Sequence, residues 1–392
     1  MRRRPDEGTT VPTTRLPTDD GSAGDVRPFS IDVTRAAQDD LRTRLSSARL
    51  LPASPARPPS ALDATYLAEL VSAWRNFDWP ARQRWLNTHP QVLVDLGDVA
   101  VHAVHQPSAD PHAPALLMMH GWPHTFALQL DFADLLPDFH VVVASLPGFT
   151  FSSPYRHGPQ THARLAQTMH QLMGALGHQR YLTYGEDVSA PVNDLLAATH
   201  PEAVLGVIAT HAHFPDLAER ARLADPATDA FFARLADQRH AFAGYAHQQG
   251  TRPDTLAVAL NDSPAGLLAW IVEKLAEWSD TPDEVPGGVE QRLSRERILT
   301  EVSLYWFTQC IATSFRPYYE QVTDPQVAPP VLVPAAVHVQ RHELDYPEAA
   351  ARAHYRDLRV FERLAEGGHF TVAEVPQAMA DRVRTFAASL DL

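Results

Sequence analysis

Cysteine is almost absent from this chain, since Cys310 is the single example among 392 residues. One thiol cannot form an intramolecular disulfide, and a zinc site built on several cysteines is excluded for the same reason. We therefore expect the fold to depend on a hydrophobic core, in which Cys310 is buried on a helix as a small apolar residue.

Lysine is equally scarce, because Lys274 is the sole lysine among 33 basic residues. With 47 acidic residues the formal net charge is −14. This charge would repel a phosphate backbone, and no basic cluster extends beyond the arginines at positions 2–4, so we expect no nucleic-acid partner. The preference for arginine, with abundant alanine and proline, indicates a GC-rich bacterial genome, which is an argument from codons.

Long hydrophobic runs are missing as well. No stretch of about 18 apolar residues is present to span a bilayer, and no apolar run follows the N-terminal arginines to form a signal sequence. We therefore expect a cytoplasmic protein without a membrane partner. Hydrophobic residues make up 45% and charged residues 20%, values typical of a globular chain that can enclose an active site.

The sequence patterns divide the chain into a tail, an extension and an interrupted core. Residues 1–27 lack periodicity and are predicted to form a disordered tail. Residues 28–90 carry apolar residues at helical intervals, such as Leu41 and Leu45, and are predicted to form a helical N-terminal extension. The core is assigned to 91–212 and 298–392. The intervening residues 213–297 lack strand signals and are predicted to form a helical lid.

Short apolar runs alternate with helical patterns in the two core segments. This alternation predicts an α/β fold in which a parallel sheet carries helices on both faces. A hairpin turning at Gly97 is predicted over 92–105. The other predicted strands are 115–119, 141–146, 181–184, 204–210, 331–339 and 360–364.

A first candidate for chemistry follows the predicted strand 115–119, where the chain reads His-Gly-Trp-Pro at 120–123. A glycine directly after a buried strand lets the backbone turn tightly, so that nearby amides can point into a cavity where negative charge develops. The N–H of Trp122 is the candidate oxyanion donor. An ordinary strand-to-loop turn explains these four residues equally well.

The second candidate is Asp187, which lies between a predicted strand and a helix in the sequence Tyr-Gly-Glu-Asp-Val-Ser-Ala. Small residues two before and two after a central nucleophile allow the sharp strand-turn-helix that exposes its side chain. A carboxylate attacks an alkyl carbon and forms an ester, which a second step must hydrolyse. The alternative is that Asp187 only caps the next helix.

The third candidate is His369, which follows two glycines near the C-terminus. At the end of a strand this imidazole could reach the nucleophile and act as a base. The strand 331–339 runs towards Glu343, whose carboxylate could orient the imidazole, and Asp345 is its rival for this role.

The order nucleophile, acid, histidine is that of α/β-hydrolases, and these features together resemble their epoxide hydrolase branch, of the microsomal and juvenile-hormone type, over residues 27–390. Residues 120–123 look like its oxyanion motif, 146–152 like its next loop and 367–370 like its histidine motif. The lid sequence is also similar to that of the family, and this similarity is very specific; it covers residues 244–245, 253–255 and 260–267. The resemblance implies an α/β-hydrolase fold with a mostly parallel, eight-stranded sheet.

The resemblance also implies an activity, the conversion of a small-molecule epoxide into a vicinal diol. Asp187 would form the ester and His369, oriented by Glu343 in preference to Asp345, would activate the water. No metal or organic cofactor is implied, because side chains supply every group. Detoxification or secondary metabolism would be the setting, and the resemblance is compatible with a homodimer.

Two tyrosines are carried over by the resemblance, Tyr245 and Tyr318. Ring opening leaves an alkoxide, which a phenolic O–H can hydrogen-bond and then protonate. Without the resemblance, each would be interpreted as a core or rim aromatic. Tyr319 is a neighbouring decoy, turned about 100° away from Tyr318 in a helix.

Two segments depart from the family pattern. Its nucleophile turn usually reads Gly-Gly-Asp-Trp-Gly, whereas Glu186, Val188 and Ser189 replace the second Gly, the Trp and the third Gly. The N–H of Val188 is expected to remain an oxyanion donor, while Glu186 adds a charge beside the nucleophile. His124 and Thr125 replace a Gly-Ser pair, and we expect substrate preference to differ accordingly.

Three other functions compete with epoxide hydrolysis. A haloalkane dehalogenase also uses an aspartate nucleophile, but commonly needs a Trp beside it, where this chain has Val188. A serine esterase is disfavoured because the central residue is Asp187. A non-catalytic binding protein on the same scaffold is suggested by the altered turn, but the retained nucleophile, base, acid and tyrosine pair argue against it.

Overall fold

A computed structural model describes residues 24–53, 56, 60–282, 285–320 and 328–390. Most of the predicted tail, residues 1–23, lies outside this range. The prediction is wrong for the last residues of the tail, because a strand begins at Asp25 and pairs with residues 91–95. The hydrogen bonds of this strand come from a partner far away in sequence, so its own five residues carry little signal.

The described strands form one sheet. They are β1 (Asp25–Phe29), β2 (Gln91–Asp95), β3 (Ala100–Gln106), β4 (Ala115–Met119), β5 (His140–Ala144), β6 (Tyr181–Gly185), β7 (Val204–Ala209), β8 (Val331–Val339) and β9 (Tyr355–Arg363). Their order is β1-β2-β3-β5-β4-β6-β7-β8-β9, and the strands from β5 to β9 in this order are mutually parallel. The α/β class and the mostly parallel sheet are confirmed, with nine strands rather than eight among the described residues because β1 was missed.

The described helices lie before, between and after these strands. They are α1 (Arg35–Ser46), α2 (Ala64–Arg75), α3 (Trp79–Leu86), α4 (Leu130–Ala133), α5 (His162–Ala175), α6 (Ala190–Thr199), α7 (Leu217–Leu223), α8 (Pro226–Phe242), α9 (Gly244–Thr251), α10 (Pro253–Asp262), α11 (Pro264–Trp278), α12 (Arg295–Thr308), α13 (Ile311–Ser314), α14 (Arg316–Glu320), α15 (Glu348–His354), α16 (Thr371–Glu374) and α17 (Pro376–Ala388). Cys310 is buried, as predicted, but it lies in the turn between α12 and α13 and not on a helix.

Burial explains why the central strands form where the sequence predicts them. All five residues of β4 are buried, as expected for a strand covered on both faces. Parallel strands present their carboxyl ends at one edge of the sheet, where α/β proteins place their ligand sites. The segments that follow β4, β6, β7, β8 and β9 therefore meet at this edge.

The N-terminal extension contacts the helical segments that follow β7. Helix α1 packs on α2 and α11, and the indole N–H of Trp74 donates to the Ser303 hydroxyl at 2.8 Å. Within the described residues no single helix is long and apolar enough to cross a membrane; α10 and α11 reach such a length only jointly, across a bend of 117°. The extension thus helps to fix the helices that cover the edge of the sheet.

Candidate active site

Asp187 lies at a sharp turn after β6, where its backbone adopts a φ of +50°. A 3₁₀ turn at Asp187–Ser189 leads directly into α6. Gly185 is required for this path, because a Cβ at that position would lie 2.6 Å from the carbonyl oxygen of Ser189. The result is the strand-turn-helix expected of a nucleophile on this fold, with backbone strain concentrated at the reactive residue.

The Asp187 carboxylate contacts the loop that follows β4. The N–H of Trp122 donates to Asp187 Oδ1 at 2.8 Å. Gly121 allows this approach, because a Cβ there would lie 2.4 Å from the Asp187 Cβ. Among the described contacts the amide of Val188 makes no hydrogen bond to the carboxylate, so its part as a second donor stays a prediction.

His369 lies between two carboxylates. Its Nδ1 is 3.0 Å from Glu343 Oε1, and its Nε2 is 3.4 Å from Asp187 Oδ2, within ion-pair distance but without a well-aligned hydrogen bond. The backbone N–H of His369 donates to the carbonyl of Trp278 at 2.9 Å, which fixes the loop. The predicted nucleophile, base and orienting acid are thus brought together.

Asp345, the rival of Glu343, lies away from the histidine. Its side chain is 70% exposed and pairs with Arg363 at 2.8 Å. Exposed pairs of this kind contribute little to stability, and this one does not contact the imidazole.

We expect Glu343→Gln to lower kcat by about 10²-fold or more, because general-base catalysis contributes that much and the imidazole would lose its orienting anion. Ester hydrolysis should slow more than ester formation, which needs no base. Asp345→Asn is the matched control and should leave turnover almost unchanged in the same burst-kinetic measurement. A larger loss in the Asp345 variant would reverse the assignment.

The charges of the site support an ionised nucleophile. Burial alone would raise the pKa of Asp187, but the polar contact with His369 at 3.4 Å and the charge of that ring lower it, with a contribution from the Trp122 amide. Burial would lower the pKa of His369, but the carboxylates of Asp187 and Glu343 raise it to about 10. At neutral pH the resting site therefore holds an aspartate beside an imidazolium.

Two phenols from the covering helices face the same site. Tyr245 lies in α9 and Tyr318 in α14, with ring centroids 6.0 Å apart. The Trp122 ring stacks on Tyr245 at 5.2 Å and meets Tyr318 edge-on at 6.0 Å. The Tyr318 hydroxyl is buried without a well-aligned hydrogen bond among the described residues, and its pKa is raised by burial and then by Tyr245. Tyr319 makes no ring contact with this group in the described chain.

His211 is a member of the site that sequence reasoning did not identify. Its Nε2 lies 3.1 Å from Nδ1 of His369 and 3.2 Å from the side-chain amide nitrogen of Gln340. Burial and the charge of His369 lower the pKa of His211 to about 4, so its ring is neutral. The available signal was its position, two residues beyond the carboxyl end of β7.

Two clusters within the described part of the chain have the residue types of metal ligands. His211, Glu343 and His369 offer ligand atoms within 4.8 Å of one another, and so do Asp194, His213 and His354. The first group belongs to the site just described. In the second, the imidazoles stack in parallel at 3.7 Å, which directs their nitrogen lone pairs side by side rather than towards a common ion.

Comparisons with known proteins show which families this chain is similar to. The family model described as epoxide hydrolase N terminus matches residues 26–128, and the model of the alpha/beta hydrolase fold matches 114–284. Epoxide hydrolase 1 of Sus scrofa is 30% identical over 93% of this chain and 89% of its own.

Two solved structures are similar to this chain over nearly its whole length. The juvenile hormone epoxide hydrolase of the silkworm Bombyx mori has a TM-score of 0.85 at 25% identity, covering 93% of this chain and 94% of that chain. The Aspergillus niger epoxide hydrolase has a TM-score of 0.81 at 26% identity, covering 93% and 97%. These matches confirm the predicted α/β-hydrolase fold, and the chain belongs to the epoxide hydrolase family of hydrolytic enzymes.

Proposed function

We propose that this enzyme converts an epoxide into a vicinal diol in two steps through an ester of Asp187. The carboxylate attacks a ring carbon, the carbon–oxygen bond of the ring breaks, and a phenol of Tyr245 or Tyr318 protonates the departing oxygen. Water then adds to the ester carbonyl carbon, giving its proton to His369, and the diol leaves as the carboxylate returns. The observation that carries this proposal is an ionised aspartate that shares one site with a base and two phenols.

The pKa of His369 supports the order of the two steps. An imidazolium cannot act as a base, and the two carboxylates hold His369 in that form at rest. Once Asp187 has become a neutral ester, one of these anions is gone and the pKa of His369 falls. The imidazolium then gives up its proton, which restores the phenol that was ionised in ring opening. The neutral ring is therefore available as the base when the ester needs water, while Glu343 keeps it oriented.

Halide displacement is the second candidate, because one observation favours it. The indole N–H of Trp122 is buried without a hydrogen-bond partner among the described residues and could bind a departing halide. Against it, Val188 offers no side-chain donor beside the nucleophile, and a halide needs no phenols to protonate it.

Parallel assays with styrene oxide and 1-chlorohexane distinguish the two reactions. We expect diol from the epoxide, measured by chromatography, and no chloride from the haloalkane. Chloride release without diol would establish the dehalogenase reaction instead. Inactivity on a broad panel of epoxides and haloalkanes would favour a binding protein on this scaffold.

A further inference from the structure

The carboxylate next to the nucleophile in sequence is deeply buried and takes no part in the reaction proposed above. The side chain of Glu186 is 1% exposed. Its Oε1 accepts from Nε2 of His124 at 2.7 Å and from the Gln129 amide at 2.8 Å, while Oε2 accepts from the Tyr184 hydroxyl. Burial alone would raise the pKa of Glu186, but His124 and the other donors lower it, so the buried group is an anion.

His124 connects this anion to the loop that follows β4. Its Nδ1 is buried without a partner among the described residues. A proton on Nδ1 would therefore be an unpaired buried donor, which favours the tautomer with the proton on Nε2, facing Glu186. The N–H of Gly121 also points at this Nε2, at 3.1 Å. A protonated ring nitrogen has no lone pair to accept that N–H, so the two contacts compete, and the shorter one, to the anionic Glu186, determines the tautomer. At the other end of the loop, the N–H of Thr125 donates to Glu301 Oε2 at 2.6 Å.

Glu186 and His124 lie on the two segments whose relative position matters for catalysis, the turn at Asp187 and the loop after β4. Glu186 precedes Asp187, the nucleophile, whereas His124 follows the Trp122 amide that donates to Asp187 Oδ1 at 2.8 Å. A charge-assisted hydrogen bond between buried partners is short and directional, so it fixes the distance between their backbones. We propose that the Glu186–His124 pair is a positioning unit that holds the Trp122 amide against the carboxylate oxygen of Asp187.

The pair matters most in the second step, an inference that rests on the ester mechanism of the proposed function. When water attacks the ester, Asp187 Oδ1 becomes an oxyanion and the Trp122 N–H must be aligned with it. Misplacing a catalytic group by about 1 Å can cost 10²-fold in rate. Ester formation creates no such charge on Oδ1, so it depends less on this alignment.

Single-turnover kinetics test the assignment by measuring ester and diol separately after rapid quenching with styrene oxide as substrate. We expect Glu186→Gln and His124→Ala to slow ester hydrolysis by about 10-fold to 100-fold and ester formation much less, so that the ester accumulates. His124→Gln, whose amide can still donate to Glu186, should recover part of the rate. Thermal unfolding identifies any variant that fails to fold, and the two Gln variants preserve size.

Tyr184→Phe is the matched control, because it removes a hydrogen bond from the same carboxylate without contacting the loop at 121–125. It should lower the melting temperature while leaving the ratio of the two rate constants at its wild-type value. Equal slowing of both steps in Glu186→Gln, or the same change of ratio in Tyr184→Phe, would reduce the pair to a purely structural role.

His369→Gln, measured in the same way, distinguishes the failure of the positioning role from the failure of the proposed function. If His369→Gln forms no ester, the proposed function is overturned. If it forms the ester but the Glu186 and His124 variants keep the wild-type ratio of rate constants, only the positioning role is overturned.

Discussion

His369→Gln is expected to stop the enzyme at the ester, with a loss of turnover of at least about 10³-fold. Glutamine cannot take a proton from water, but Asp187 needs no base to attack the epoxide. Mixing this variant with styrene oxide should therefore add the mass of one substrate to the peptide that contains Asp187. Intact and peptide mass spectrometry measure this adduct directly, and Asp187→Asn is the control that should remain unmodified.

Oxygen labelling checks the same mechanism in the wild-type enzyme. During a single turnover with excess enzyme in H₂¹⁸O, the new oxygen of the diol comes from the carboxylate, so the diol should contain mostly ordinary oxygen. Asp187 should acquire the label, because water attacks the carbonyl carbon of its ester. Labelled diol from the first turnover, with no adduct in the His369 variant, would instead make His369 the base for direct hydration.

The double replacement of Tyr245 and Tyr318 by Phe should abolish measurable ring opening. Removing one preorganised hydrogen-bond donor costs about 10² to 10³ in rate. Tyr245 and Tyr318 are the only phenols in the described aromatic group around Trp122, so the double variant has no phenol left there. The alkoxide would then develop in a buried site without a proton donor. Single-turnover formation of the Asp187 ester is the measurement, because this step and not its hydrolysis should be lost.

Phenylalanine keeps the ring contacts with Trp122, so the melting temperature of the double variant should stay near that of the wild type. Each single variant should retain part of the rate, since the remaining phenol can still donate. Tyr319→Phe is the matched control and should be active, because its ring is outside the group. A double variant that opened styrene oxide at the wild-type rate would remove both tyrosines from the mechanism.

Local sequence determined the central strands and the segments that carry the chemistry. The buried run at β4 matches its predicted bounds, because a strand covered on both faces must be apolar throughout. The bounds of β8 also match, although Leu332 near its start is exposed. The small residues around Asp187 predicted a sharp turn, since only they fit such a backbone. The resemblance to the epoxide hydrolases then gave the two tyrosines their role, which composition and spacing alone had left open.

Strand β1 and the choice of the orienting acid depended on which segments, distant in sequence, meet in the fold. Local sequence patterns do not contain this information. Strand β1 forms because residues 91–95 offer it hydrogen bonds. The residues alone left Glu343 and Asp345 as rivals; only the path of the chain after β8 directs one carboxylate to the imidazole and the other to Arg363.

His211 and Glu186 illustrate the same limit at the site itself. His211 contacts a catalytic candidate 158 residues away, and its position just beyond a strand is too weak a signal to select it among 20 histidines. The sequence revealed Glu186 as a departure beside the nucleophile, but its partner His124 is 62 residues distant. The sequence by itself determines which chemical groups are available. A buried carboxylate, however, is stabilised only by hydrogen-bond donors that the tertiary fold brings to it. The tertiary structure therefore decided which of these groups act together.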